Sequence, residues 1–189
     1  MARIEWVTNA RDGIEQARTT QKLALLSFTA GPDCAGCTKL DDDIYSEEDV
    51  VLFINECFVP IKITLREHPE SFAQFNVEWT PTIIIPDQNG KERHRMVGFL
   101  PKEDFLAQLQ LAIAKVAFSA RKFEEARKGF AAVGRLHEGT SAAPEGIFWA
   151  GVSAYRDTGK NAPLAQTAGE LKQKYPESDW AKKASVYIK

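Results

Sequence analysis

The chain has 189 residues, 44% of them hydrophobic and 26% charged, enough to bury one substantial core or one core and a small second one. Its formal net charge is −2 and its basic residues are scattered, so it lacks the concentrated positive field that nucleic acid or an anionic membrane surface would need. The opening MARIEWVTNARDGIEQ has no continuous apolar run and no later segment reaches the apolar length of a bilayer span, so a cytoplasmic protein without membrane partners is expected.

Taken in chain order, Arg3 to Val7 alternates in strand fashion, and a helix is expected from Asn9 or Asp12 to Thr19. Leu23 to Phe28, LALLSF, is a short apolar run that fits a strand buried on both faces. A loop containing Gly31 and Pro32 follows, and Cys34-Ala35-Gly36-Cys37 stands where a helix can begin. Ser46 with Glu47, Glu48 and Asp49 reads as the acidic first turn of a helix over Val50 to Glu56, ahead of a strand Phe58 to Ile63. A helix from Pro69 to Phe75 comes next. Thr82 to Ile85 lies between Pro81 and Pro86, Asp87-Gln88-Asn89-Gly90 is a hairpin turn, and Glu92 to Val97 returns antiparallel, so the sheet is mixed. Beyond Pro101, Phe105, Leu106, Leu109, Ile113, Val116 and Phe118 recur at helical spacing and strand signals cease. Punctuation at 139–144, 159–163 and 175–179 divides this region into about five helices.

Three cysteines are too few for a disulfide framework, and a close pair is more often catalytic or metal-binding than structural. At a helix N-terminus the first sulfur lies beside unsatisfied N–H groups and the positive end of the helix dipole, which favours thiolate. Cys34 is therefore the candidate nucleophile, and Cys37, one turn on, would displace the mixed disulfide. Lys39 is expected to add positive charge, and Asp33 to oppose it if its carboxylate turns inward. A metal half-site is the competing chemistry, but only Cys57 remains as a soft ligand, and His68, His94 and His137 lack paired spacing. Cys57 is expected to be a buried, inert thiol.

The strand LALLSF, the Cys34-Ala35-Gly36-Cys37 helix start, the strand at Val59 to Ile63, Thr80-Pro81-Thr82, and Asn89-Gly90 with Gly98 resemble the thioredoxin superfamily over about residues 3 to 112. That resemblance implies an α/β thioredoxin fold, a mixed central sheet flanked by helices, over 1–112. It further implies that Cys34 attacks, that Cys37 resolves, and that Thr80 and a cis-Pro81 line the groove for substrate backbone. No cofactor beyond a redox-active disulfide and no metal is expected. The sequence departs from the family pattern where Asp33 replaces the tryptophan before the first cysteine, and where Ser27 occupies the place of the buried acid.

Residues 113–189 are similar to a helical-hairpin, tetratricopeptide-like domain: Phe123-Glu-Glu-Ala126 with Phe130 fits one unit, and Trp149, Tyr155, Gly159 and Ala165 the next. The expected function is a thiol–disulfide oxidoreductase acting on protein disulfides with an unknown redox partner, its helical tail docking a protein. The alternatives are a non-catalytic, chaperone-like adaptor and a metal carrier.

Overall fold

The computed structural model describes residues 3–188. Two compact units divide at Lys102 and Glu103. In the first, Asn9 accepts from the Arg11 and Asp12 N–H groups and so starts helix α1, Ala10–Thr20. Strand β1, Leu23–Thr29, follows, buried from Ala24 onward. Helix α2, Ala35–Lys39, runs into a π turn over Leu40–Ile44. Then come α3, Glu48–Cys57; β2, Phe58–Thr64; α4, Pro69–Gln74; β3, Thr82–Pro86; and β4, Glu92–Val97.

The four strands lie in the order β2-β1-β3-β4, with β1 and β2 parallel and the other pairs antiparallel. The sheet is mixed, as the sequence implied. Apolar alternation explains one layer of packing: Ala24, Leu26 and Phe28 of β1 meet Val59, Ile61 and Ile63 of β2, with Ile84 of β3, Ala17 of α1 and Phe72 of α4. Phe72 packs edge-on against Phe28, ring centres 5.1 Å apart.

The expected strand from Arg3 to Val7 is only a single bridge, Val7 to Ile61 of β2. Val7 N–H donates to the Pro60 carbonyl and Lys62 N–H donates to the Val7 carbonyl, both at 2.9 Å. One step earlier the ladder would need an N–H from residue 60, and proline has none. The pairing therefore stops after one residue despite favourable side-chain alternation.

The second unit is all helical: α5, Lys102–Ser119, begins at its boundary, followed by α6, Phe123–Leu136; α7, Ala142–Thr158; α8, Ala162–Lys174; and α9, Asp179–Ala184. Gly159, at φ +71°, ends α7 with its N–H donating to the Tyr155 carbonyl. Ala107, Leu111 and Ala114 pack with Phe130 and Val133 of α6. Ile147, Ala168, Leu171 and Ala184 form a smaller core further along. No helix of the described residues is long and apolar enough to cross a membrane.

Candidate active site

Strand β1 delivers the chain to a tight turn in which Gly31, at φ +92°, accepts on its carbonyl the N–H of Cys34 at 3.2 Å. That hydrogen bond fixes Cys34 in extended geometry, φ −95° and ψ 99°, as the N-cap of α2. Its sulfur takes the place that a serine or aspartate oxygen usually fills, accepting the Cys37 N–H at 3.2 Å. The donor and the helix dipole both favour negative charge on this sulfur once the pair is reduced. Here Cys34 and Cys37 are joined in a disulfide, with their Cα atoms 5.2 Å apart. Cys34 is half-exposed, whereas Cys37 is 3% exposed. An incoming molecule can therefore meet only the first sulfur.

The second segment of the site comes from the loop before β3. The Thr80–Pro81 peptide is cis. Thr80 Oγ1 lies 3.4 Å and its carbonyl oxygen 3.5 Å from Cys34 Sγ. The oxidised sulfur carries no hydrogen, so the Thr80 hydroxyl is the donor in this contact. Two hydrogen bonds hold the loop: Gly98 N–H donates to the Pro81 carbonyl at 2.8 Å, and Thr82 Oγ1 donates to the Trp79 carbonyl at 2.8 Å. Gly36 faces Pro81 closely; a Cβ on residue 36 would sit 3.0 Å from Pro81 Cδ. Cys34, Cys37, Thr80 and Pro81, the residues singled out from the sequence, thus converge.

Lys39 does not serve the sulfur as expected. Its ammonium bonds Asp43 at 2.8 Å and rests over the Phe99 ring at 5.2 Å, so its charge is already committed. Asp33 is exposed. Ser27, 2% exposed, meets the Tyr45 hydroxyl at 3.1 Å. Burial pushes the Tyr45 phenol far above its ordinary range, against the opposing hydrogen bond from Ser27. Tyr45 in turn packs edge-on against Trp6, and the Lys62 ammonium lies over that indole while bonding Asp41 at 2.7 Å. Sequence reasoning found Ser27 but not its partner, because Tyr45 reaches it across a π turn that no residue pattern marked.

Cys57 corrects another expectation. It ends α3, and it is half-buried instead of buried. Burial raises its thiol above the usual cysteine range, with Glu56 adding to the effect. No group of three or more His, Cys, Asp or Glu side chains able to hold a metal ion occurs among the described residues.

The first unit is similar to known proteins. The chain is 26% identical over 110 residues to the thiol:disulfide interchange protein DsbD of Campylobacter jejuni strain RM1221, covering 56% of this chain and 19% of that relative, so it spans about a fifth of the relative's length. A thioredoxin from Thermus thermophilus superposes with a TM-score of 0.56 at 20% identity, covering 63% of this chain and 94% of that one. The DsbH oxidoreductase gives 0.53 at 22% identity, covering 59% and 85%. A putative disulphide-isomerase from Bacteroides thetaiotaomicron gives 0.53 at 20% identity, covering 59% and 94%. These structures share the fold. The family of the thioredoxin-like domain matches residues 10–113, more than half of the sequence. The chain belongs to the thioredoxin-like family.

Proposed function

We propose that this protein is a thiol–disulfide oxidoreductase that acts on protein disulfides through Cys34 and Cys37. The observation that carries the reading is the asymmetry of the pair: an accessible sulfur at a helix N-cap, bonded to a buried one. In the reduced protein the Cys34 thiolate attacks one sulfur of a substrate disulfide, forming a mixed disulfide and expelling the other substrate sulfur, which takes a proton from water. Cys37 then loses its proton and attacks Cys34 Sγ, which breaks the mixed disulfide and releases the second substrate thiol. Two electrons pass to the substrate, and the enzyme is left in the disulfide state of this structure. An external dithiol reductant of the cell restores the reduced form. Thr80 and Pro81 border the position of the incoming sulfur.

The kinship with a thiol:disulfide interchange protein supports the same chemistry. We assign the helical unit a docking role for a protein partner, on the tetratricopeptide-like pattern of α6 to α8, and a cytoplasmic setting to the whole. The decisive test is equilibration in graded glutathione or dithiothreitol buffers, with the disulfide read by the mass of alkylated Cys34 and Cys37. A reversible two-electron couple below roughly −220 mV makes it a reductase and one near −120 mV an oxidant. Absence of any Cys34–Cys37 disulfide at every poise refutes the reading. Insulin reduction retained by Cys34→Ser would refute it equally.

A further inference from the structure

Trp79 is the most exposed large apolar residue next to the reactive pair, at 69%, and no packing requirement accounts for it. Its backbone is fixed, since its carbonyl accepts the Thr82 hydroxyl at 2.8 Å, and the next residue, Thr80, touches Cys34 Sγ. Trp79 is thus an exposed indole-bearing residue one position in sequence from the contact with the reactive sulfur. Asp33 precedes Cys34 and is exposed, and Glu78 precedes Trp79 and is exposed, so each of the two segments that meet at the sulfur carries a carboxylate. The cation of α2, Lys39, pairs with Asp43 at 2.8 Å. An indole face is the best aromatic partner for a cation, and the flanking carboxylates add attraction of the same sense.

We propose that Trp79, with Asp33 and Glu78, forms a specificity subsite that takes a lysine or arginine side chain adjacent to the half-cystine of a polypeptide substrate. The inference rests on the oxidoreductase reading and adds the class of protein disulfide it prefers. An acidic neighbour to the substrate cysteine is repelled, and an aliphatic one gains only contact with the indole.

The test uses the full chain and three symmetrical disulfides of a blocked dipeptide X-Cys, with X as Arg, Leu or Glu, and reads kcat/KM for each. The expected order is Arg, then Leu, then Glu, with the Arg-to-Glu ratio narrowing as salt rises. Trp79→Ala lowers the Arg-to-Leu ratio about two- to fivefold, the value of an exposed cation–π contact, and Trp79→Phe restores most of it. Asp33→Asn lowers the Arg-to-Glu ratio. Equal kcat/KM for the Arg and Glu substrates, or an Arg-to-Leu ratio in Trp79→Ala equal to that of the unaltered protein, overturns the subsite while leaving the oxidoreductase reading intact. Failure of the unaltered protein to reduce any of the three overturns both.

Discussion

The Ser27 and Tyr45 hydroxyl oxygens lie 3.1 Å apart in the interior, each the other's polar partner where a strand and a π turn meet. Tyr45→Phe leaves the Ser27 hydroxyl short of that partner and is expected to cost about 1–3 kcal/mol at neutral pH. The Tyr45 phenol is held above its unfolded value, so its contribution is complete below about pH 10 and is lost as pH rises toward the folded value. Urea unfolding at pH 7 and at pH 10.5 should therefore show the gap between the unaltered protein and Tyr45→Phe shrinking at the higher pH. A gap independent of pH would contradict the assignment.

At the β3–β4 turn, Asp87 accepts the N–H groups of Asn89 and Lys91 at 2.9 and 3.0 Å, and Arg93 from 2.6 to 2.8 Å. Burial alone would raise this carboxyl, but Arg93 and the two backbone donors overcome it and hold it below the usual carboxylate range. Its stabilisation is present above about pH 4 and is lost as pH falls through the depressed value. Asp87→Asn keeps the oxygen that caps the turn but not the charge, with an expected loss of about 1.5–3 kcal/mol at pH 7. In acid titrations followed by circular dichroism, the deficit of the variant should vanish at the acid end.

Replacing the buried sulfur separates the two half-reactions. Cys37→Ser should accumulate a mixed disulfide between Cys34 and substrate, visible as a mass increase that dithiothreitol reverses, because nothing remains to displace it. If instead the adduct forms through Cys37 in Cys34→Ser at a comparable rate, the order of attack argued from exposure is reversed.

Gly36 sets the width of the cleft. In Gly36→Ala the new methyl presses on Pro81 Cδ at 3.0 Å and meets Phe99 Cβ at 3.9 Å, so the loop that carries Thr80 must retreat from Cys34. Disulfide exchange should slow several-fold while thermal stability falls by about 1 kcal/mol, the low end of overpacking costs. Stopped-flow rates beside calorimetry would test the pairing of these effects.

In the helical unit, Gly146 lets α6 and α7 approach: a Cβ there would stand 2.7 Å from the Phe130 carbonyl oxygen and 3.1 Å from the Gly134 nitrogen. Both neighbours are backbone and cannot swing aside. Gly146→Ala is expected to destabilise by about 1–3 kcal/mol despite alanine's better helix propensity, as guanidinium unfolding would report.

Much of the fold could be read from residue patterns because each signal was local. The apolar run from Leu23, the cysteine pair at a helix start, and Asp87 to Gly90 at a turn all act within a few residues. The break between α5 and α6 gave no such signal. It occurs at Ala120 to Lys122 without glycine or proline, and Arg121 adopts φ +63° there, closing α5 with hydrogen bonds from Arg121 N–H to the Phe118 carbonyl and from Lys122 N–H to the Ala117 carbonyl, a cap that glycine usually marks. The contacts of Thr80 with Cys34, 46 residues apart, came from family resemblance, since no periodicity reports proximity across a sheet. Trp79 stands two residues before Pro81, and only its exposure distinguishes it from core.

Pro60 sits on the outer side of β2, where Val7 makes its single bridge. A strand from another molecule that tried to extend the sheet along that border would meet a missing donor at the second rung and a chain segment already occupying the first. This border of the sheet is therefore closed to strand-by-strand aggregation, a protection that Pro60→Ala would weaken by restoring the missing donor.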